Sequence, residues 1–560
     1  MLLTDGGRAL LLASLAAAAV IRPDNTNDLR ASYDYIVVGG GASGLTVANR
    51  LSEDSSVNVL AIEAGSLDDG SATVMAPGSI ATTSFRKFNW NYRTVPQTFI
   101  DGKDRDYPLG KVVGGGTILN GIAWTRAAAA GYDAWADLGN EGWGWDDLLP
   151  YFKKAKIYRP QNYPGRTNYG KNTLNVNPDL EFREFAKRPV TQRNKIKLTH
   201  ALLPCKDGTG GPVQVGYPEF FYSQSEYFLD GAKALGIPRV GDLNTGNTTG
   251  AAIIPSSMTL KKQSRASARS SCLDPVVVRE NLHVAVEQRV TRILLDGTPQ
   301  PKATGVEFSR DAGSPKRTVK ASREVILAAG AIFSPVLLQV SGIGPRAVLD
   351  SIGVKTRVNL PGVGNNLQDH PMVAPAYKCP YTCPMVNAVA FPPFSLVTAD
   401  YADLLDSARS RAMSLPTDDE SLRRGYGAQR RAILDLLELD SVGAFELWSS
   451  SAGDVTVSLM QPLSRGNVTA PSADVFDAPR IDPRFCSHPF DCEILELGVG
   501  FIARLAGTEA MRPLAPAPLP GFAPGEDVRG AVNGQAADLI KQDASDFDRV
   551  FGNVLDIWGE

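Results

Sequence analysis

The chain has 560 residues, 43% of them hydrophobic and 21% charged, with 53 glycines and four histidines. That length exceeds one ordinary core and implies two or more coupled domains. Lys and Arg total 57 against 60 Asp and Glu, so no basic excess points to nucleic acid, and no stretch beyond the N-terminus is apolar enough to cross a membrane.

Residues 10–21 (LLLASLAAAAVI) follow Arg8 as a short apolar run rich in small side chains. The pattern predicts a secretory leader over 1–21 and a secreted or secretory-pathway protein; the alternative is a plain N-terminal extension of a cytoplasmic one. Two sequons, at Asn247 and Asn467, would accept glycans in that compartment. Six cysteines (Cys205, Cys272, Cys379, Cys383, Cys486, Cys492) are too few for a disulfide scaffold. The pairs 379/383 and 486/492 are spaced to close small rings, and isolated thiols or one disulfide are favoured over a metal site, so no metal is expected.

Residues 35–38 (YIVV) form a short β-branched strand that runs directly into Gly39-Gly40-Gly41-Ala42-Ser43-Gly44. Residues 45–51 then read as a helix, and 57–62 as a second strand ending at Glu63-Ala64-Gly65. A GxGxxG between strand and helix, with an acidic residue 19 positions after its last glycine, is a dinucleotide site. Gly39 allows the tight turn, Gly41 lets backbone approach a pyrophosphate, and Gly44 lets the helix pack close to the strand. The helix N-terminus offers free N–H groups to phosphate. Glu63 is placed to accept from a ribose 2′-OH, and its charge repels a 2′-phosphate. This unit does not distinguish NAD from FAD.

A second glycine-rich segment, 110–123 (GKVVGGGTILNGIA), has backbone able to lie flat against an extended cofactor. Here the chain resembles the glucose–methanol–choline (GMC) family of FAD-dependent oxidoreductases, above all its fungal secreted and metabolite-pathway members. Residues 132–135, 142–145, 149–152, 282–293, 330–344 and 360–371 are family-like too, in family order. The resemblance implies an α/β fold, with a Rossmann-like FAD-binding domain and an antiparallel-sheet α+β substrate domain. The FAD domain would span 31–155 and 250–375. An insertion or lid would occupy 156–206, a cap segment 207–249, and the substrate domain 376–560. Residues 324–328 are expected as a buried central strand, and 455–460, which alternate apolar and polar, as a half-buried one.

The resemblance also assigns cofactor contacts. They fall on Leu45 and Thr46 at the helix start, Glu63 and Ala64 at the ribose, and Val290 at the adenine. Gly114 belongs to the flavin loop, and Asn120, Gly121, Ile122 and Ala123 would line the isoalloxazine. Trp90 sits where the family has an aromatic near the cofactor, or else is a core or hinge aromatic. Covalent flavin in some relatives uses a histidine of the glycine-rich segment; none occurs between 110 and 130, so noncovalent FAD is expected. The implied reaction is oxidation of a small-molecule alcohol to a carbonyl by hydride transfer to flavin, with oxygen or another acceptor reoxidising it. The family base is a histidine of a C-terminal His-Pro motif, which this sequence does not show. The expectation is therefore a truncated C-terminal part and no nameable catalytic residue. Alternatives are a non-redox cyclase or dehydratase on the same fold, or a catalytically impaired homologue. His200 lies in the insertion, while His283, His370 and His488 read as structural.

Overall fold

The computed structural model describes residues 20–21, 28–76, 86–158, 211–217, 223–259, 261–297, 299–373, 377–378, 386–412, 414–450, 455–514, 516–518 and 528–533. Most of the expected leader, most of the 156–206 insertion, His200, Cys205, Cys379 and Cys383 fall outside them. In chain order, the elements that position the site begin with β1 (Val20–Ile21), β2 (Ser32–Val38), α1 (Ala42–Leu51) and β3 (Val59–Ile62). Next come α2 (Gly116–Leu119), α3 (Ser223–Ala234), β4 (Gly250–Ile253), β5 (Leu282–Ala285) and β6 (Arg289–Asp296). They continue with β7 (Lys302–Ser309), β8 (Arg317–Leu327), α4 (Gly330–Val340) and β9 (Met372–Val373). Last are β10 (Val386–Phe391), β11 (Glu446–Ser450), β12 (Val455–Ser458) and α5 (Pro489–Ala506).

One sheet has the order β1-β5-β3-β2-β8-β7-β6, parallel from β1 to β8 and antiparallel beyond. β1, the last two residues of the expected leader, pairs with Val284 and Ala285 at its edge. Apolar residues on both strand faces explain why β2 and β3 read as continuous runs. Ile36 and Val38 pack toward Ile332 and Val336 of α4, whereas Val37 packs toward Leu45 and Ala48 of α1. Each such side chain contributes about 1.5–3 kcal/mol by leaving water. β8 corrects the expectation of a buried strand: Val325, Ile326 and Leu327 are half-buried, and Ala328, just past the strand's end, lines a cavity.

The second sheet, β9-β12-β11-β10-β4, is antiparallel throughout. Val373, Val457, Leu447 and Ala390 turn one face toward Phe228 and Leu229 of α3 and Leu495 and Val499 of α5. β4 and β9 both belong to this sheet, so the FAD stretch expected over 250–375 gives up both of its ends. β12 is a second correction: all four residues are buried, Thr456 and Ser458 included. Its polar residues face protein interior rather than water. Cys486 and Cys492 form a disulfide across the first turn of α5, and Cys272 is a buried free thiol.

Candidate active site

Strands β2, β3 and β8 end at a cavity of about 730 Å3, lined by Val38, Ile62 and Ala328 at those ends. Carboxyl ends of parallel strands are where open α/β sheets bind ligands. The connection from β2 to α1 is possible only with glycine. Gly39 has φ +105°, and a Cβ on it would lie 2.4 Å from the Ala328 carbonyl oxygen. A Cβ on Gly44 would lie 1.9 Å from the Gly39 oxygen. Gly41 differs: it lines the cavity, and a Cβ there would meet nothing closer than 3.9 Å. Its backbone is bare toward the cavity. Ala42 and Ser43, at the N-terminus of α1, line the cavity with it.

Leu45 and Thr46 do not. Leu45 packs in the core between α1 and the sheet, and the Thr46 hydroxyl donates to the Ala42 carbonyl at 2.7 Å. Glu63 and Ala64 do line the cavity. Glu63 is buried, and its two carboxylate oxygens accept from Gly40 N and Gly65 N, each at 2.7 Å. Burial pushes its pKa up, while those amides oppose the shift.

The second glycine loop packs on the first, backbone against backbone. Gly114 (φ +102°) is buried and donates to the Gly40 carbonyl at 2.8 Å, and a Cβ on Gly115 would come within 3.0 Å of Gly41 Cα. Gly115, Gly116, Asn120 and Gly121 line the cavity. Gly114, Ile122 and Ala123 do not. Ile122 is buried with its carbonyl accepting from Ser257 N, and Ala123 bridges Ser256. Asn120 is held by Arg265, whose Nη1 donates to its main-chain and side-chain oxygens, both at 2.8 Å. Arg265 Nε donates to the Val74 carbonyl at 3.0 Å. Burial lowers its pKa to about 10, so it stays charged at neutral pH.

Trp90, Arg289 and Val290 close another side of the cavity. The Arg289 guanidinium lies 4.9 Å from the Trp90 ring centroid, 5.1 Å from Phe333 and 5.2 Å from Phe476. Its Nη2 is buried without a hydrogen-bond partner among the described residues, and burial pulls its pKa down. The start of α4, Gly330 to Phe333, also lines the cavity. Sequence reasoning missed Arg265 and Arg289, because neither stands in a glycine motif. The α4 start was detectable: residues 324–328 and Gly330 repeat the strand–glycine–helix order of β2, Gly39 and α1.

None of His283, His370 and His488 lines the cavity. His283 Nδ1 sits 2.6 Å from the Tyr33 hydroxyl, and His370 Nδ1 3.0 Å from the Leu459 carbonyl oxygen. His488 is buried, and neither ring nitrogen has a partner among the described residues. Burial, with Arg430 and Arg411 nearby, takes its pKa down to about 4. Among the described residues no group of three His, Cys, Asp or Glu could hold a metal, and no helix is long and apolar enough to cross a membrane.

Residues 33–372 match the family described as GMC oxidoreductase. The chain belongs to the GMC oxidoreductase family. It is 32% identical over 549 residues to the dehydrogenase xptC of Emericella nidulans, covering 91% of this chain and 81% of that one. It is 31% identical to the dehydrogenase str4 of Strobilurus tenacellus, covering 88% and 80%. Among solved structures, an FAD-dependent oxidoreductase from Chaetomium thermophilum superposes with a TM-score of 0.78 at 30% identity, over 90% of this chain and 88% of that one. A fungal aryl-alcohol oxidase gives 0.72 at 25% identity, over 90% and 88%. This GMC oxidoreductase is thus an enzyme of an FAD-dependent class, with the family's α/β fold.

Proposed function

We propose that this GMC oxidoreductase binds FAD noncovalently in the 730 Å3 cavity and oxidises a small alcohol to a carbonyl in fungal secondary metabolism. Oxygen or another acceptor then takes the electrons. The observation that carries the reading is the pairing of two bare glycine loops with an unpartnered guanidinium nitrogen around one cavity. That donor set suits an extended dianion: backbone N–H groups at a helix start, and one cation left unneutralised. FAD, when bound, supplies the hydride acceptor.

The chain's own residues divide the binding work. The amides of Gly41, Ala42 and Ser43 face the pyrophosphate. Glu63, already fixed by Gly40 and Gly65, keeps lone pairs for ribose hydroxyls. Arg289 and Val290 take the adenine half, with Trp90 against the guanidinium. Gly115 to Gly121 flank the flavin, and Arg265 holds Asn120 in register beside it. Leu45, Thr46, Gly114, Ile122 and Ala123 support this cradle from behind. The lining contains no His, Cys or Tyr among the described residues, which supports noncovalent attachment. Of the sequons, Asn247 is exposed, whereas Asn467 is half-buried in a central strand. A glycan on a secreted form belongs on Asn247. The likeness to dehydrogenases and to an aryl-alcohol oxidase supports an alcohol as substrate.

The test is spectroscopic. Purified full-length protein should show flavin bands near ~370 and ~450 nm, release them on denaturation, and bleach under anaerobic benzyl alcohol. A colourless protein, or flavin that stays with the denatured chain, would contradict the reading.

A further inference from the structure

One amide at the cavity has no place in the division of binding work given above. Gln288 lines the cavity and is only 4% exposed. Its backbone N–H donates to the Glu63 carbonyl at 2.9 Å, but among the described residues no hydrogen bond reaches its carboxamide. A carboxamide taken out of water and left unpaired costs free energy, and a ligand that supplies both partners recovers it. The group is neutral and presents an acceptor oxygen beside two N–H donors. It therefore suits a neutral edge with a donor next to an acceptor. A phosphate would fall instead to Arg289, the next residue, which has the charge.

The position of Gln288 selects the edge. β5 runs parallel to β3, with Ala285 opposite Ile62. Past that pair the two chains stay bonded: Glu63 N donates to the Ala285 carbonyl at 2.8 Å, and Glu287 N to the Gly65 carbonyl at 3.0 Å. Glu287 then turns the backbone with φ +54°, a left-handed conformation that a non-glycine residue adopts at a cost. Its side chain goes to the surface, 3.9 Å from Arg310. The turn brings Gln288, Arg289 and Val290 to the cavity in succession.

Glu63 stands at the ribose position of a dinucleotide turn, and the α1 start at its pyrophosphate. Gln288 is bonded to the main chain of that same glutamate, so the part of the ligand within its reach is the base that the ribose carries. The flavin end belongs to the second glycine loop. Adenine offers what the carboxamide lacks: a 6-amino donor beside the N1 acceptor, on the edge turned away from the sugar.

We propose that Gln288 reads the adenine of FAD, its side-chain oxygen accepting from the 6-amino group and its NH2 donating to N1. The inference rests on the FAD reading above and deepens it. Arg289 and Val290 hold the adenosine half whatever its base, by charge and apolar contact. Gln288 makes the affinity depend on which base it is.

The experiment titrates full-length protein, stripped of flavin, by calorimetry with FAD and with its purine analogue, in which hydrogen replaces the 6-amino group. Wild type should bind the analogue about tenfold to a hundredfold more weakly than FAD. Gln288→Leu should lose that preference, holding the two ligands within about threefold of each other. Comparing two ligands on one protein cancels any general loosening by the substitution. A wild type without the preference, or a Gln288→Leu protein that keeps it, overturns the assignment. Should the variant not fold, wild type decides. The 2-azidoadenine form of FAD should attach on illumination to the peptide carrying Gln288, as mapped by mass spectrometry. Attachment only to other peptides overturns the assignment. A wild type that binds neither ligand fails at the FAD reading instead, and the assignment falls with it.

Discussion

Glu63 and Glu446 are carboxyls set into the two halves of one enzyme, and their surroundings are opposite. Glu63, at the end of β3, receives two backbone amides at 2.7 Å. Glu446, on β11, receives none among the described residues, and burial raises its pKa. In the cofactor half the glycine loops satisfy the Glu63 carboxylate from backbone at short range, while Arg289 Nη2 has no hydrogen-bond partner among the described residues. In the half built on the second sheet, both ring nitrogens of His488 are buried without partners among the described residues.

Three perturbations would break or sharpen that contrast. The largest is Gly44→Val. Its Cβ would sit within 2 Å of the Gly39 oxygen, at 1.9 Å. Backbone cannot yield there, so we expect a loss of about 3 kcal/mol or more and no bound flavin, read by denaturant unfolding and by absorbance. A stable, yellow Gly44→Val protein would mean that the cofactor half is not held together by this close approach.

Next is His488. Its folded pKa, about 4, lies below the ordinary value of 6.5, so the folded state favours the neutral ring. The stability this gives is fully present above pH 6.5 and is lost as pH falls through that range toward 4. Phe at this position loses no hydrogen bond, since both nitrogens lack partners. His488→Phe should flatten the acid limb of a melting-temperature profile by an amount of order 2 kcal/mol. An unchanged limb would show that the ring finds partners after all.

The smallest effect falls on Arg289. Its Nη2 has no hydrogen-bond partner among the described residues, so Arg289→Gln should cost the apoprotein only the guanidinium's ring contacts with Trp90, Phe333 and Phe476, about 1 kcal/mol. Flavin binding, followed by quenching of flavin fluorescence, should weaken about tenfold to a hundredfold. Equal losses in stability and in flavin affinity would make Arg289 structural.

Much of the cofactor half was legible in the chain itself. The spacing of Gly39, Gly41, Gly44 and Glu63 encodes a local path, strand to turn to helix to strand, whose geometry the glycines' missing Cβ atoms dictate. Leu45 and Thr46 do not line the cavity, because the helix turns Leu45 into the core and the Thr46 hydroxyl onto the Ala42 carbonyl. Arg265 was not legible, since it reaches Asn120 across 145 residues of chain. The Val455–Ser458 alternation was read correctly as a strand but wrongly as facing water. Periodicity tells which residues share a face and says nothing of what covers it.

By itself the sequence determined the dinucleotide turn, the family and the alternation of the strands. These depend on contacts within a few residues or on patterns that each segment carries alone. Only the tertiary structure decided that Arg289 has a nitrogen unpaired among the described residues, and that Met372, Ser458 and Glu446 stand in one row whose first member lines the cavity. Strand register brings together residues more than seventy positions apart. The polarity of the resulting face is a property of the assembled sheet and of no single segment.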